Sequence, residues 1–89
     1  MKLVITVVGK DRVGIIANVT KILAENEVNI LSINQNILQG FFNMILFAEA
    51  DENKIRLVEL QKALKIQGEE IGVEIKTQHQ EIFDVMHKI

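Results

Sequence analysis

Lys2-Leu3-Val4-Ile5-Thr6-Val7-Val8-Gly9-Lys10-Asp11-Arg12-Val13-Gly14-Ile15 changes character twice within a few residues. Residues 2–8 are almost all apolar and mostly β-branched, the pattern of a strand covered on both faces. Gly9 to Gly14 then break the run, and Asp11 stands where it could N-cap a helix. From Ile15 onward Ile15, Val19, Ile22 and Leu23 recur at the i, i+4, i+7, i+8 spacing of one buried helical face, and Asn26-Glu27 end it.

Working outward, residues 29–38 alternate, with Leu31, Ile33 and Ile37 on one face and Ser32, Asn34 and Asn36 on the other. Gly40 marks a tight turn. Phe41 to Ala50 follows as a strand, with Met44, Leu46 and Ala48 on one face and Ile45 and Phe47 on the other, so a hairpin is expected. Asp51-Glu52-Asn53 is expected to cap a second helix carrying Leu57, Leu60, Leu64 and Ile71. Gly68 interrupts that pattern, but Ile71 carries it to a stop at Gly72. Val73, Ile75 and Thr77 alternate with Glu74, Lys76 and Gln78 in a fourth strand. Ile82, Val85, Met86 and Ile89 place one apolar stripe on a short closing helix.

The order β-α-β-β-α-β is that of an α+β, ferredoxin-like sandwich. It implies a four-stranded antiparallel sheet with two helices on one face, and a short C-terminal helix is added here. The first and third strands belong in the centre and the second and fourth at the edges. Such a sheet leaves its other face open, with alternate residues of the first strand and Ile45 and Phe47 on it. An apolar open face calls for cover by the tail helix, by a partner subunit or by both.

Composition limits the function. The 89 residues make one domain, and Ile, Val and Leu supply 31 of them, which excludes a disordered tail. No apolar run approaches the roughly 20 residues of a membrane span. The N-terminus does not read as a signal peptide. The absence of Cys removes disulfides, thiolate nucleophiles and Cys-ligated metals, and the expected location is cytoplasmic. A net charge of −2 argues against non-specific nucleic-acid binding.

Two clusters could carry chemistry. In the first, Gly14 leaves the start of the helix bare, so its free amides suit a carboxylate, and Asp11 could accept from an ammonium group. Together they complement the two ends of an amino acid. On the loop alone the preferred reading is a helix cap at Asp11 and a point of close helix–sheet packing at Gly14, where a side chain would overpack; the loop is no Walker or dinucleotide fingerprint. The second cluster is Asn29, Asn34, Gln35, Asn36 and Gln39, amides on or near one strand. They face solvent, a ligand or another chain, or they guard the edge against pairing.

The strand–Gly9-Lys10-Asp11-Arg12-Val13-Gly14–helix opening, with Asn29-Ile30 starting the second strand, resembles an ACT domain. ACT domains are small regulatory modules of ferredoxin-like fold that commonly sense amino acids. The Thr6-Val7-Val8-Gly9-Lys10-Asp11 opening is most similar to free-standing bacterial ACT proteins related to regulators of glycine cleavage. The resemblance makes residues 1–78 the ACT-like part and leaves 79–89 as a C-terminal amphipathic helix of the same domain. It implies a non-catalytic module whose small ligand sits at a subunit interface. By position the ligand would be held by Asp11, Val13, Gly14 and Ile15 from the loop and Asn29 and Ile30 from the strand. Val13 stands where many members have Pro, and Gly9 where some carry a ligand-contacting side chain. The loop and Asn29 are expected to meet at one end of the sheet.

No metal or cofactor is expected. His79 and His87 lie about 12 Å apart along the tail helix, too far to share a metal. His87 is placed to interact with the helix dipole. Ser32 is the chain's one serine and has no base assigned to it. An acylphosphatase-like hydrolase on the same topology would need Arg12 in an anion cradle and Asn34 to orient water, although Arg12 is expected to point into solvent. An RNA-binding reading of Gln39-Gly40-Phe41-Phe42-Asn43-Met44-Ile45-Leu46-Phe47 lacks the basic first position and puts Asn43 where an aromatic should stack. Phe41, Phe42 and Phe47 are instead expected in core or interface. The expected partners are a second copy, an amino acid and a regulated protein, with no nucleic acid and no membrane. The unguarded second strand favours edge-to-edge pairing into an eight-stranded sheet, with face-to-face packing as the alternative.

Overall fold

The computed structural model describes residues 1–87, so Ile89 of the expected tail stripe lies outside the described residues. The elements are β1 (Lys2–Lys10), α1 (Ile15–Glu25), β2 (Asn29–Leu38), β3 (Phe41–Glu49), α2 (Leu57–Ile71), β4 (Val73–His79) and α3 (Gln80–Met86). The four strands stand in the order β2-β3-β1-β4, all antiparallel to their neighbours.

Period-2 alternation in β1 divides the two faces. Leu3, Ile5 and Val7 are fully buried and join Met44, Leu46 and Ala48 of β3 under the helices. Ile15, Val19 and Leu23 of α1 and Leu60 and Leu64 of α2 close that core from above. The helix stops at Gly72, which takes φ 78°, ψ 32° and returns its N–H to the Gly68 carbonyl. Gly68 lies within α2 where a Cβ would sit 2.7 Å from the Val73 carbonyl oxygen, so glycine is what lets the helix approach β4 this closely. Gln39 and Gly40 turn the hairpin with φ of 52° and 82°, the double left-handed geometry of a type I′ turn.

Three local expectations are corrected. Asp51-Glu52-Asn53 does not cap α2. The Asp51 carboxylate accepts from Asn53 N–H (2.9 Å), forming its own turn, and α2 begins later with Arg56 as an N-cap that makes no side-chain bond. A bulge between Ile30 and Ser32 interrupts the alternation of β2 at Leu31. It swings Ile30 onto the helix side opposite Ala48, in step with Ile33 opposite Leu46. Asp11 does not cap α1 either; Gly14 takes the N-cap position.

The open face is half covered. Its registered rows run Ser32–Phe47–Val4–Gln78, Asn34–Ile45–Thr6–Lys76 and Asn36–Asn43–Val8–Glu74. α3 folds back against β1 and β4 of its own chain. There Val4 is 1% exposed, whereas Val8, beyond the helix, is 47% exposed. No described helix is long and apolar enough to cross a membrane.

Candidate functional site

The loop between β1 and α1 is pinned rather than free. Asp11 N–H donates to the Gly40 carbonyl at 2.8 Å, tying the loop to the hairpin turn. Arg12 Nη1 donates to the Ile71 carbonyl at 3.0 Å, tying it to the C-terminal end of α2. A cation there also complements the helix dipole. Arg12 was expected in solvent; it is exposed but engaged. Asn34, its counterpart in the hydrolase reading, lies on the opposite face of the sheet, so the two form no common cradle.

Gly14, not Asp11, is the N-cap of α1. It adopts φ 93°, ψ 0°, and no side chain caps the helix. Asp11 lies a full turn too early to reach the second or third helical amide, where a capping carboxylate must bond. The Asn18 side chain instead donates to the Gly14 carbonyl at 2.7 Å, while its Oδ1 accepts from Gln67 Nε2 of α2 at 3.3 Å. The first-turn amides of Ile15, Ile16 and Ala17 precede the first intrahelical bond, which Asn18 N–H makes to Gly14. A Cβ at Gly14 would meet only Asn18 Nδ2, at 3.2 Å, so the constraint there is the left-handed backbone and not overpacking. Close packing falls on Gly9, where a Cβ would sit 2.7 Å from Val73 Cγ1.

Around this bare helix start the expected residues separate. Asp11 and Val13 are exposed at the loop. Ile15 sends its side chain into the core and is 2% exposed as a whole residue. Asn29 and Ile30 are elsewhere. Asn29 registers with Glu49, and Glu49 with Lys2, so the start of β2 is level with the start of β1. Along eight residues of strand that is about 26 Å from the loop. Ile30 packs against the core. The expected meeting of loop and Asn29 at one end of the sheet therefore does not occur within one chain. Consecutive parallel strands joined by a helix run the same way, so the end of one and the start of the next are at opposite ends.

The amides also divide. Asn34 and Asn36 join Asn43, Thr6, Val8 and Ile45 around a shallow open-face concavity of about 320 Å³, while Gln39 sits in the turn. Gln35 pairs with Met44 on the other side. Asn18, which the sequence reading passed over, was detectable as an amide one helical turn after the breaking glycine. A second concavity, of about 490 Å³, lies at the far end of the sheet among Lys2, Glu52, His79, Glu81 and Asp84. Among the described residues no three His, Asp or Glu side chains are grouped to hold a metal. His87 Nδ1 lies 2.9 Å from the Phe83 carbonyl near the end of α3, and its ring stacks on Phe83 at 4.0 Å.

Comparison with known proteins agrees with this architecture. A "UPF0237 protein" of Methanosarcina acetivorans is 46% identical over 88 residues, which is 99% of this chain and 96% of that one. The solved ACT domain protein from Streptococcus pneumoniae superposes with a TM-score of 0.83 at 38% identity, over 94% of each chain. The regulatory subunit of aspartate kinase from Thermus thermophilus, solved ligand-free, gives 0.68 at 27% identity, over 86% of this chain and 50% of its own. The sequence profile of the ACT domain matches residues 1–78, and the chain belongs to the ACT domain family.

Proposed function

We propose that this protein is a non-catalytic regulatory module that binds an amino acid at the seam between two copies. The carrying observation is the start of α1: left-handed Gly14, uncapped amides and an exposed Asp11 on a loop pinned at Asp11 and Arg12. Amides at the positive end of a helix suit the ligand's carboxylate, and Asp11 suits its ammonium. One chain offers only half of such a site, and β2 supports the other half. It is an edge strand whose residues are all exposed apart from partly buried Ile30, and it carries no Lys, Arg, Asp, Glu or Pro. Antiparallel pairing of two β2 strands about a two-fold axis would bring Asn29 of a second copy level with Leu38 of the first, at the loop end of the sheet. The residues that stand about 26 Å apart in one chain would then approach across the seam.

Calorimetric titration of a full amino-acid panel tests this reading. One chemical class of side chain is expected to give saturable heat. Asp11→Ala is expected to weaken that binding about tenfold or more, since a hydrogen bond to a charged group is worth about 1.5–3 kcal/mol. No heat with any amino acid would leave a protein-interaction module without a ligand.

A further inference from the structure

We propose that the last turns of α2 brace the loop before α1 and hold the amino-acid site in shape, with Gln67 as a positioning residue that acts through Asn18. The ligand in this statement rests on the reading above; the brace rests on hydrogen bonds within one chain.

Two side-chain bonds bracket Gly14. Before it, Arg12 Nη1 donates to the Ile71 carbonyl at 3.0 Å. After it, Gln67 Nε2 donates to Asn18 Oδ1 at 3.3 Å. Gln67 and Ile71 stand four residues apart, so one face of α2 supplies both partners. Among the described residues no other side-chain hydrogen bond joins α2 to α1 or to the loop before it.

Support runs from α2 to the loop and not the reverse. Leu60, Leu64 and Gly68 are buried along the core side of α2, and Gly68 lies against the β4 backbone. In a close-packed core that helix has little room to shift. Asp11, Arg12 and Val13 are all exposed, and left-handed Gly14 follows them. Such a segment packs little apolar surface of its own, so its order comes from its ties.

Amide chemistry decides which end of Asn18 faces Gly14. The Gly14 carbonyl accepts twice, from Asn18 N–H at 2.9 Å and from Asn18 Nδ2 at 2.7 Å. The Gln67 donor occupies Oδ1 at the other end of the same amide. Turned over, Asn18 would set its oxygen against the Gly14 carbonyl oxygen, and neither is a donor. Gln67 therefore favours the orientation that shows the helix start an N–H group. Nδ2 lies close there, 3.2 Å from where a Cβ on Gly14 would be. A donor at that place adds to the free amides of Ile15, Ile16 and Ala17, whereas an oxygen would oppose a ligand's carboxylate. By linkage, an amino acid whose affinity depends on Gln67 also tightens the Gln67–Asn18 bond. Occupancy of the loop is then felt at the end of α2, where Gly72 leads into β4.

Two substitutions of the full chain test this. Gln67→Met keeps the length and helix preference of the side chain and removes the donor. Gln67→Lys keeps a donor of similar reach. Calorimetry with the amino acid that binds the wild type is expected to show affinity reduced roughly threefold to tenfold in Gln67→Met and restored in Gln67→Lys, with melting of both within a few degrees of wild type. Unchanged affinity in Gln67→Met, or equal losses in the two variants, overturns the positioning role. Amide hydrogen exchange reads the brace without ligand. The Asn18 N–H, bonded to Gly14, is expected to exchange at least about threefold faster in Gln67→Met, and equal rates overturn the brace. A wild type silent to every amino acid overturns the ligand reading and with it the positioning role, and the exchange rates still decide the brace.

Discussion

The two faces of the sheet are built from alternate residues of the same strands, and they are finished to different degrees. On the helix side Leu3, Ile5 and Val7 are completely buried. On the other side burial fades along a single strand, from Val4 under α3, through half-buried Thr6, to exposed Val8. Between Leu3 and Val8 every residue of β1 but Thr6 is apolar, the pattern of a strand covered on both faces. One chain completes the first face and half of the second. The completed face holds the core, and the other is covered by α3 over only part of its length.

Neighbouring residues of β3 give the most direct way to break this contrast. Leu46→Ala, on the finished side, should cost about 2–5 kcal/mol in urea unfolding. Ile45→Ala, one residue away and half-buried, should cost less than about 1 kcal/mol in dilute protein, and more as concentration rises if a second copy covers it. Equal costs at every dilution would mean that the two faces do not differ. Gly14→Val should cost about 1–3 kcal/mol, because φ 93° is strained for a β-branched residue. A Gly14→Val protein melting like wild type would show that the loop relaxes freely. On the finished side Thr77 is 4% exposed and its Oγ1 has no hydrogen-bond partner, so Thr77→Val should raise stability by about 1 kcal/mol. A loss instead would reveal a bonded hydroxyl. The smallest effect is expected at the exposed Arg12–Ile71 bond, where Arg12→Ala should cost about 0.5 kcal/mol and less at high salt.

Periodicity made most of the fold readable. β-Branched alternation, the helical spacing of Ile15, Val19 and Leu23, and the stop at Gly72 each express one local preference that tertiary packing did not oppose. Where two local solutions compete, sequence alone does not choose. Asp51 can cap a helix or a turn, and it caps the turn. The bulge at Leu31 was hidden because Leu-Ser-Ile alternates whether or not a residue is extruded. The candidate site was legible in half. The Gly9–Gly14 break announced the bare helix start, but Asn29 was assigned to the wrong end of the sheet. Residue types do not encode that distance; strand direction does.

The strand order β2-β3-β1-β4 also has a kinetic consequence. β1 lies between β3 and β4, and its pairing of Val4 with Gln78 joins nearly the two ends of the described chain. The β2–β3 hairpin can form from local contacts in microseconds, but β1 must wait for a large loop to close on each side before it is paired. During synthesis β1 leaves the ribosome first and gains its last neighbour only when β4 has emerged. Until then its free edge, Leu3-Val4-Ile5-Thr6-Val7-Val8, is an uncharged, β-branched segment open to pairing with other chains. Folding yield should therefore depend on how quickly β4 follows.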